Sequence, residues 1–364
     1  MPLEAGPVMR PLKFMKKIRV LIVDDSALVR QILTRGLAMD PEIEVAGTAN
    51  DPFQARDQIV KLKPDVLTLD VEMPRMDGVE FLRKLMPQFP IPTVMVSSLT
   101  QRGATITLQA MEAGAVDFVG KPTSNMASGL QGMISELQTK VKMAARVDVS
   151  HWKGRQPARP VKGSAVASRA LAQSTDKVIA IGASTGGTEA LKNVLIPLPL
   201  DTPGVVVVQH MPPGFTKMFA DRLNELCAMD VKEAASGDRI MSGRILIAPG
   251  ANQMKVVRSG GIYQVQCAPG EKVNGHCPSV EVMMQSVAQY VGANAVGVML
   301  TGMGGDGAEG LLAMRKAGSR TIGQDEKTCV VYGMPKVAYE KGAVERQLPL
   351  DAIAPAIIRF LSEG

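Results

Sequence analysis

Val178-Ile179-Ala180-Ile181-Gly182-Ala183-Ser184-Thr185-Gly186-Gly187 reads as a buried strand running straight into a glycine-rich turn with one hydroxyl at its tip. β-Branched Val and Ile suit a strand covered on both faces. The three glycines permit backbone angles and close approaches that a Cβ forbids. Thr188 to Leu195 then carries apolar residues at helical spacing, so a helix begins just past Ser184. A serine held between strand end and helix start has the geometry of a nucleophile elbow, and Gly182, Ser184 and Gly186 satisfy G-x-S-x-G. The same turn also occurs as a plain strand-to-helix loop. Catalysis therefore depends on what the neighbouring strand ends bring to the serine.

Downstream, Val205 to Val208 is a β-branched run ending at Gln209-His210-Met211-Pro212-Pro213. Arg244 to Ala248 leads into Pro249-Gly250, and Val296 to Leu300 ends in Thr301-Gly302-Met303-Gly304-Gly305-Asp306-Gly307. Ser184, His210 and Asp306 thus each follow the carboxyl end of an expected parallel strand, where doubly wound sheets assemble their sites. Of the three histidines, only His210 has that placement; His151 falls in a linker and His276 in a loop. A neutral imidazole can take a serine proton near pH 7, and a carboxylate fixes its tautomer and stabilises the imidazolium. Glycines around Asp306 free backbone N–H groups for a developing oxyanion. The alternative for that glycine-rich loop is a phosphate cradle, but no Gly-Lys-[Ser/Thr] accompanies it. The chain order Ser, His, Asp departs from the Ser, Asp, His order of α/β-hydrolases, which sets that superfamily aside.

Upstream, strands expected at Arg19–Val23, Val66–Leu69 and Thr93–Val96 end at Asp24-Asp25, Asp70 and Ser97-Ser98, and Asp117 to Val119 leads to Lys121-Pro122. A helix is expected from Ala27 to Met39. Strand–helix alternation in both halves predicts an α/β protein of two doubly wound parallel-sheet domains, flavodoxin-like first and Rossmann-like second. Three carboxylates gathered at one sheet edge repel unless a cation sits among them, and oxygen-only ligands select a hard ion such as Mg²⁺. A lysine and a hydroxyl opposite can hold phosphoryl oxygens, which makes Asp70 the candidate acceptor of an aspartyl phosphate. Helix capping would explain Asp25 alone but not Asp24, Asp25, Asp70, Ser97 and Lys121 together.

At 364 residues the chain has room for two domains. Hydrophobic content of 46% and charged content of 21% are those of globular cores. No apolar run approaches a membrane span, and Met1 to Lys17 lacks the apolar stretch of a signal peptide; Met15 is a second candidate start. Cys227, Cys267, Cys277 and Cys329 have no close-pair spacing, which suits reduced thiols in a cytoplasmic protein. A metal site from Cys267, His276 and Cys277 is disfavoured. The formal charge is +6, but Thr139 to Lys177 holds nine Lys/Arg against Asp148 and Asp176, leaving 32 basic against 33 acidic residues elsewhere. The basicity is expected to belong to a linker rather than to a nucleic-acid face. Trp152, within that linker, is expected to be a loosely packed surface aromatic.

The first half resembles the receiver domains of two-component response regulators, through Asp24-Asp-Ser-Ala27, Asp70-Val-Glu-Met-Pro74 with Met76-Asp-Gly78, and Lys121-Pro122. That resemblance implies Mg²⁺ bound by Asp25 and Asp70 with Asp24 assisting through water, phosphorylation of Asp70, and Ser97 and Lys121 reporting the phosphoryl group. The second half resembles the catalytic domain of chemotaxis protein-glutamate methylesterases of the CheB type. Its carriers are Gly182 to Gly187, Gln209 to Pro213, Ala248 to Gly250, His276-Cys-Pro-Ser-Val280 and Leu300 to Gly307. That resemblance implies Ser184 as nucleophile, His210 as base, Asp306 as its orienting partner, the Met303 backbone N–H in the oxyanion hole, and no cofactor in the catalytic domain. It further implies demethylation of chemoreceptor glutamates with release of methanol, deamidation of receptor glutamines, and a histidine kinase as phosphodonor. The implied partners include no specific nucleic acid, and membranes are met only through receptors. The expected organisation is an extension over 1–16, a receiver over 17–135, a basic linker over 136–175 and a methylesterase domain over 176–364. A receiver that represses the Ser184 site until phosphorylated follows from joining a switch module to a hydrolase. The rivals are a non-enzymatic regulator, opposed by the Ser184, His210, Asp306 set, and a DNA-binding regulator, for which no helix-turn-helix follows the receiver.

Overall fold

The computed structural model describes residues 16–98, 100–122, 126–154 and 176–363. Nearly all of the expected extension and most of the expected linker lie outside them. No helix among the described residues is long and apolar enough to cross a membrane.

The first domain alternates β1 (Ile18–Val23), α1 (Ala27–Ala38), β2 (Ile43–Ala49), α2 (Pro52–Leu62), β3 (Val66–Asp70), α3 (Gly78–Leu85), β4 (Thr93–Ser98), α4 (Gln101–Glu112), β5 (Asp117–Lys121) and α5 (Met126–Ala144). The sheet order is β2-β1-β3-β4-β5, with every pair parallel. β1 and β3 are therefore neighbours at the point where the strand order reverses, and their carboxyl ends open a crevice there. Val20 to Val23 and Val66, Leu67 and Leu69 are buried, as strands covered by helices on both faces must be. α1 starts at Ser26, whose hydroxyl accepts from the Val29 N–H, and α2 starts at Asp51, which accepts from Phe53 and Gln54.

α5 corrects the expected start of the linker at 136. Its Met133, Leu137, Val141 and Ala144 recur every three or four residues and are buried against the receiver core. Burying Leu137 alone stabilises the helix by about 2 kcal/mol. Lys140 and Lys142, counted with the linker on charge, instead pair inside the domain, with Asp117 and Glu136 and with Asp40 and Glu42. The chain beyond α5 stays on the receiver as far as 154: Trp152 packs half-buried against Gly114, and the Gly154 N–H donates to Pro87. Trp152 is thus an anchor for this segment and not a loose surface ring.

The second domain holds β6 (Val178–Ala183), α6 (Gly187–Leu195), β7 (Gly204–Gln209), α7 (Phe215–Leu226), β8 (Asp230–Glu233) and β9 (Arg244–Ile247). An antiparallel hairpin of β10 (Asn252–Ser259) and β11 (Ile262–Pro269) follows. The chain closes with α8 (Val280–Tyr290), β12 (Ala295–Met299), α9 (Ala308–Lys316), β13 (Arg320–Gln324), α10 (Met334–Glu340), β14 (Arg346–Leu348) and α11 (Leu350–Ser362). The sheet runs β14-β13-β12-β6-β7-β9-β8, again all parallel. The chain leaves β6 toward β7 on one side and reaches β12 on the other, so the switch point lies between β6 and β12. Ser184 and Asp306 follow those two strands, and His210 follows β7.

Candidate active site and phosphoacceptor cluster

Three backbone hydrogen bonds bring the strand ends to one level. The Ser184 N–H donates to Thr301 (3.0 Å), the His210 N–H to Ala183 (3.2 Å) and the Leu300 N–H to Gly182 (2.9 Å). Gly186 takes φ +76 at the turn into α6, a left-handed conformation that glycine adopts without strain. A Cβ on Gly302 would come within 2.8 Å of the Ser184 Cβ, so only glycine lets the two loops close on each other. Ser184 sits partly buried at the mouth of the crevice thus formed.

The His210 Nε2 and the Asp306 Oδ2 are 2.9 Å apart, with the two side chains 7% and 1% exposed. His210 Nδ1 is buried and has no hydrogen-bond partner among the described residues. The Asp306–His210 bond is made, then, and a Ser184–His210 bond is not; such bonds commonly tighten only with substrate in place. With Nε2 turned to the carboxylate, Nδ1 is the ring nitrogen that could accept a proton.

Asp306 is held by more than the histidine. Its Oδ1 accepts from the Ser279 hydroxyl (2.7 Å) and the Asn274 amide (2.9 Å), and its Oδ2 accepts from the Val280 N–H (2.7 Å). The carboxylate therefore sits at the N-terminus of α8, where unpaired N–H groups and the helix dipole favour negative charge. Burial opposes ionisation, but the hydrogen bonds from His210, Asn274 and Ser279 outweigh it and bring Asp306 down to about 2. These donors were missed from the sequence, although Ser279 stands immediately before an apolar helical run, the usual place for a cap. Here the cap is borrowed: Ser279 makes no side-chain cap to α8. Its hydroxyl serves Asp306 instead.

In the receiver, ligand atoms of Asp24, Asp25 and Asp70 lie within 4.8 Å of one another, the one group of three His, Cys, Asp or Glu side chains among the described residues arranged to hold a metal ion. The Lys121 Nζ is 3.0 Å from both Asp24 Oδ2 and Asp70 Oδ1. Burial first, and the neighbouring Asp24 charge, push Asp70 up to about 6 against the pull of Lys121. One lysine does not neutralise three carboxylates. Oxygen-only donors with this excess of negative charge fit a hard divalent cation. The Ser97 hydroxyl is turned toward α4, within 2.7 Å of the Thr107 hydroxyl and 3.2 Å of the Gly103 carbonyl. Lys121 and the acidic residues meet; Ser97 does not join them.

Across the domain boundary, the Asp117 Oδ2 accepts a hydrogen bond from the hydroxyl of Thr185, the residue next to Ser184. Glu112 at the end of α4 pairs with Lys192 of α6 (3.2 Å) and Arg222 of α7 (3.1 Å). Phe118 stacks on Phe215, the ring centroids 4.6 Å apart. Nothing in the local pattern of either segment signals these contacts, because each partner comes from the other domain.

The CheB methylesterase family matches residues 179–357, and the response regulator receiver domain matches residues 20–128. A Syntrophotalea carbinolica protein named protein-glutamate methylesterase/protein-glutamine glutaminase is 67% identical over 348 residues, 96% of this chain and 99% of its own. A Syntrophomonas wolfei protein of the same name, numbered 2, is 54% identical over 349 residues, 96% of this chain and 99% of its own. The crystal structure of the Thermotoga maritima CheB methylesterase catalytic domain is 36% identical with a TM-score of 0.50, covering 51% of this chain and 99% of that one. With a methylesterase half, a receiver half and relatives aligned over nearly the whole length, the chain belongs to the CheB methylesterase family.

Proposed function

We propose that this protein hydrolyses methyl esters of glutamate side chains on the cytoplasmic helices of chemoreceptors, deamidates receptor glutamines, and does so in the cytoplasm under control of Asp70 phosphorylation. The observation that carries the reading is the buried Asp306–His210 pair, which leaves Nδ1 free beside the strand end that bears Ser184. The Ser184 Oγ bonds to the ester carbonyl carbon as His210 Nδ1 takes its proton, and Asp306 stabilises the resulting imidazolium. The backbone N–H of Met303 donates to the oxyanion. As the tetrahedral centre collapses, the bond to methoxide breaks and His210 returns the proton, releasing methanol. Water then attacks the acyl-enzyme with His210 again as base, freeing glutamate and Ser184. An amide follows the same course with ammonia as leaving group.

In the receiver, Asp24, Asp25 and Asp70 would hold Mg²⁺, which when bound neutralises phosphoryl oxygens. Asp70 attacks the phosphorus of a kinase phosphohistidine, whose P–N bond breaks. Two elements connect that site to the catalytic domain. β5 carries Lys121 at one end and Asp117 at the other, about 13 Å away at strand spacing. α4 bonds Ser97 through Thr107 and the catalytic domain through Glu112. Drawing Ser97 and Lys121 to a phosphoryl group shifts both elements and loosens the contacts to Thr185, Lys192 and Arg222, opening the Ser184 site.

Methanol release from a methylated receptor by the full-length protein tests the hydrolase. Ser184→Ala is expected to lower the rate by about 10⁴-fold or more. Release at the normal rate would return the chain to the class of non-enzymatic regulators.

A further inference from the structure

The loop between β11 and α8 supplies Asn274 and Ser279 to Asp306, just before Val280 at the start of α8, and it also carries His276. The His276 ring lies flat on His210, with centroids 3.6 Å apart and planes 7° from parallel. Val273 and His276 exchange two backbone hydrogen bonds of 3.0 Å across a turn formed by Asn274 (φ 52) and Gly275 (φ 85). The His276 carbonyl accepts from the Gln253 side chain at 3.2 Å. The stacked ring is thus anchored by its own backbone and not by a further bond of its side chain.

We propose that His276 is a positioning residue for the esterase reaction: its ring clamps the plane of the His210 imidazole, so that Nε2 stays on Asp306 and Nδ1 stays available as the base. One hydrogen bond from Nε2 to Asp306 leaves the imidazole free to swing about that bond. A flat face at van der Waals distance removes the swing. The charged groups whose fields reach His276 are His210, Asp306, Lys272 and, from the receiver, Lys140. Burial first, then the His210 charge, lower His276 to about 4, so it is neutral where the esterase works. A neutral ring lets its partner become imidazolium during acylation, whereas a second cation would oppose it.

This inference rests on the hydrolase reading of Ser184 but not on the identity of the ester. Its test is therefore the rate at which a fluorophosphonate labels Ser184 in the full-length protein, followed across pH, with methanol release measured in parallel. His276→Leu, similar in bulk but not flat, is expected to slow labelling by about 10- to 100-fold at unchanged melting temperature, the scale of a misplaced catalytic group. His276→Phe keeps the flat face and is expected to stay within about 3-fold of the natural protein. His276→Lys puts a fixed cation beside the imidazole and moves the acid limb of the labelling profile to lower pH. Leu and Phe variants that label alike, with the acid limb of the Lys variant unmoved, would overturn the clamp. A natural protein that labels at Ser184 but releases no methanol would instead refute the methylesterase reading and leave the clamp to be judged on labelling alone.

Discussion

Asp70 and Asp306 are both buried aspartates at or just beyond the carboxyl ends of parallel strands, at the switch points of two similarly wound sheets, yet their acidities diverge. Asp70 is pushed up to about 6 and Asp306 is brought down to about 2. Burial raises both. The difference is in what surrounds each carboxylate. Asp306 receives hydrogen bonds from Ser279, Asn274, Val280 and His210. Asp70 shares one lysine with Asp24 and has Asp25 beside it. The Asp306 carboxylate is already surrounded by fixed hydrogen-bond donors, which suits a group proposed to orient an imidazole. The receiver carboxylate is left short of positive charge, and that shortage suits a residue meant to take a cation and a phosphoryl group.

The comparison is broken most directly at Asp306. Asp306→Asn preserves shape but removes the charge and fixes the wrong imidazole tautomer, so methanol release should fall by about 10⁴-fold. A loss of only a few-fold would mean that the carboxylate is a structural cap for α8 and not part of the base.

The same exchange at the two sites should move stability in opposite directions at pH 7.5. Asp70 is raised from 3.8 to about 6, so it costs the fold nothing below pH about 4 and progressively more as pH rises through about 6. Asp70→Asn removes that cost and should stabilise the receiver by up to about 3 kcal/mol in the absence of divalent ions. Asp306 is lowered to about 2, so its contribution is present above pH about 4 and lost as pH falls through about 2. Asp306→Asn should therefore destabilise by about 2 kcal/mol. Mg²⁺ should narrow the gap by stabilising the natural protein and not Asp70→Asn. Thermal melting with and without Mg²⁺ measures all of these; destabilisation by both exchanges would show that the two carboxylates are held alike.

What could be read in the sequence was the placement of polar residues at strand ends. Asp24, Asp25, Asp70, Lys121, Ser184 and His210 stand at or next to strand ends where a covered strand would continue with Val or Ile, and Asp306 closes the glycine-rich loop after another such strand, all of it local in the sequence. The donors that tune Asp306 were not legible, because Asn274 and Ser279 lie in a turn whose partner is 32 and 27 residues away. The Thr185–Asp117 bond spans 68 residues and two domains. The expected linker start at 136 falls inside α5, whose cations resemble linker charge while its apolar side chains mark a packed helix. β2, β8, β14 and the β10–β11 hairpin carry no clear strand signal, because mixed polar and apolar residues there reflect strands at the edges of the sheets or outside them.

The gate is tested by methanol release from methylated receptor by the full-length protein, with and without a small phosphodonor and Mg²⁺. Phosphorylation should raise the rate by about 10-fold or more, and the rise should be absent in Asp70→Asn. Equal rates with and without the phosphodonor, at full phosphorylation of Asp70, would contradict it.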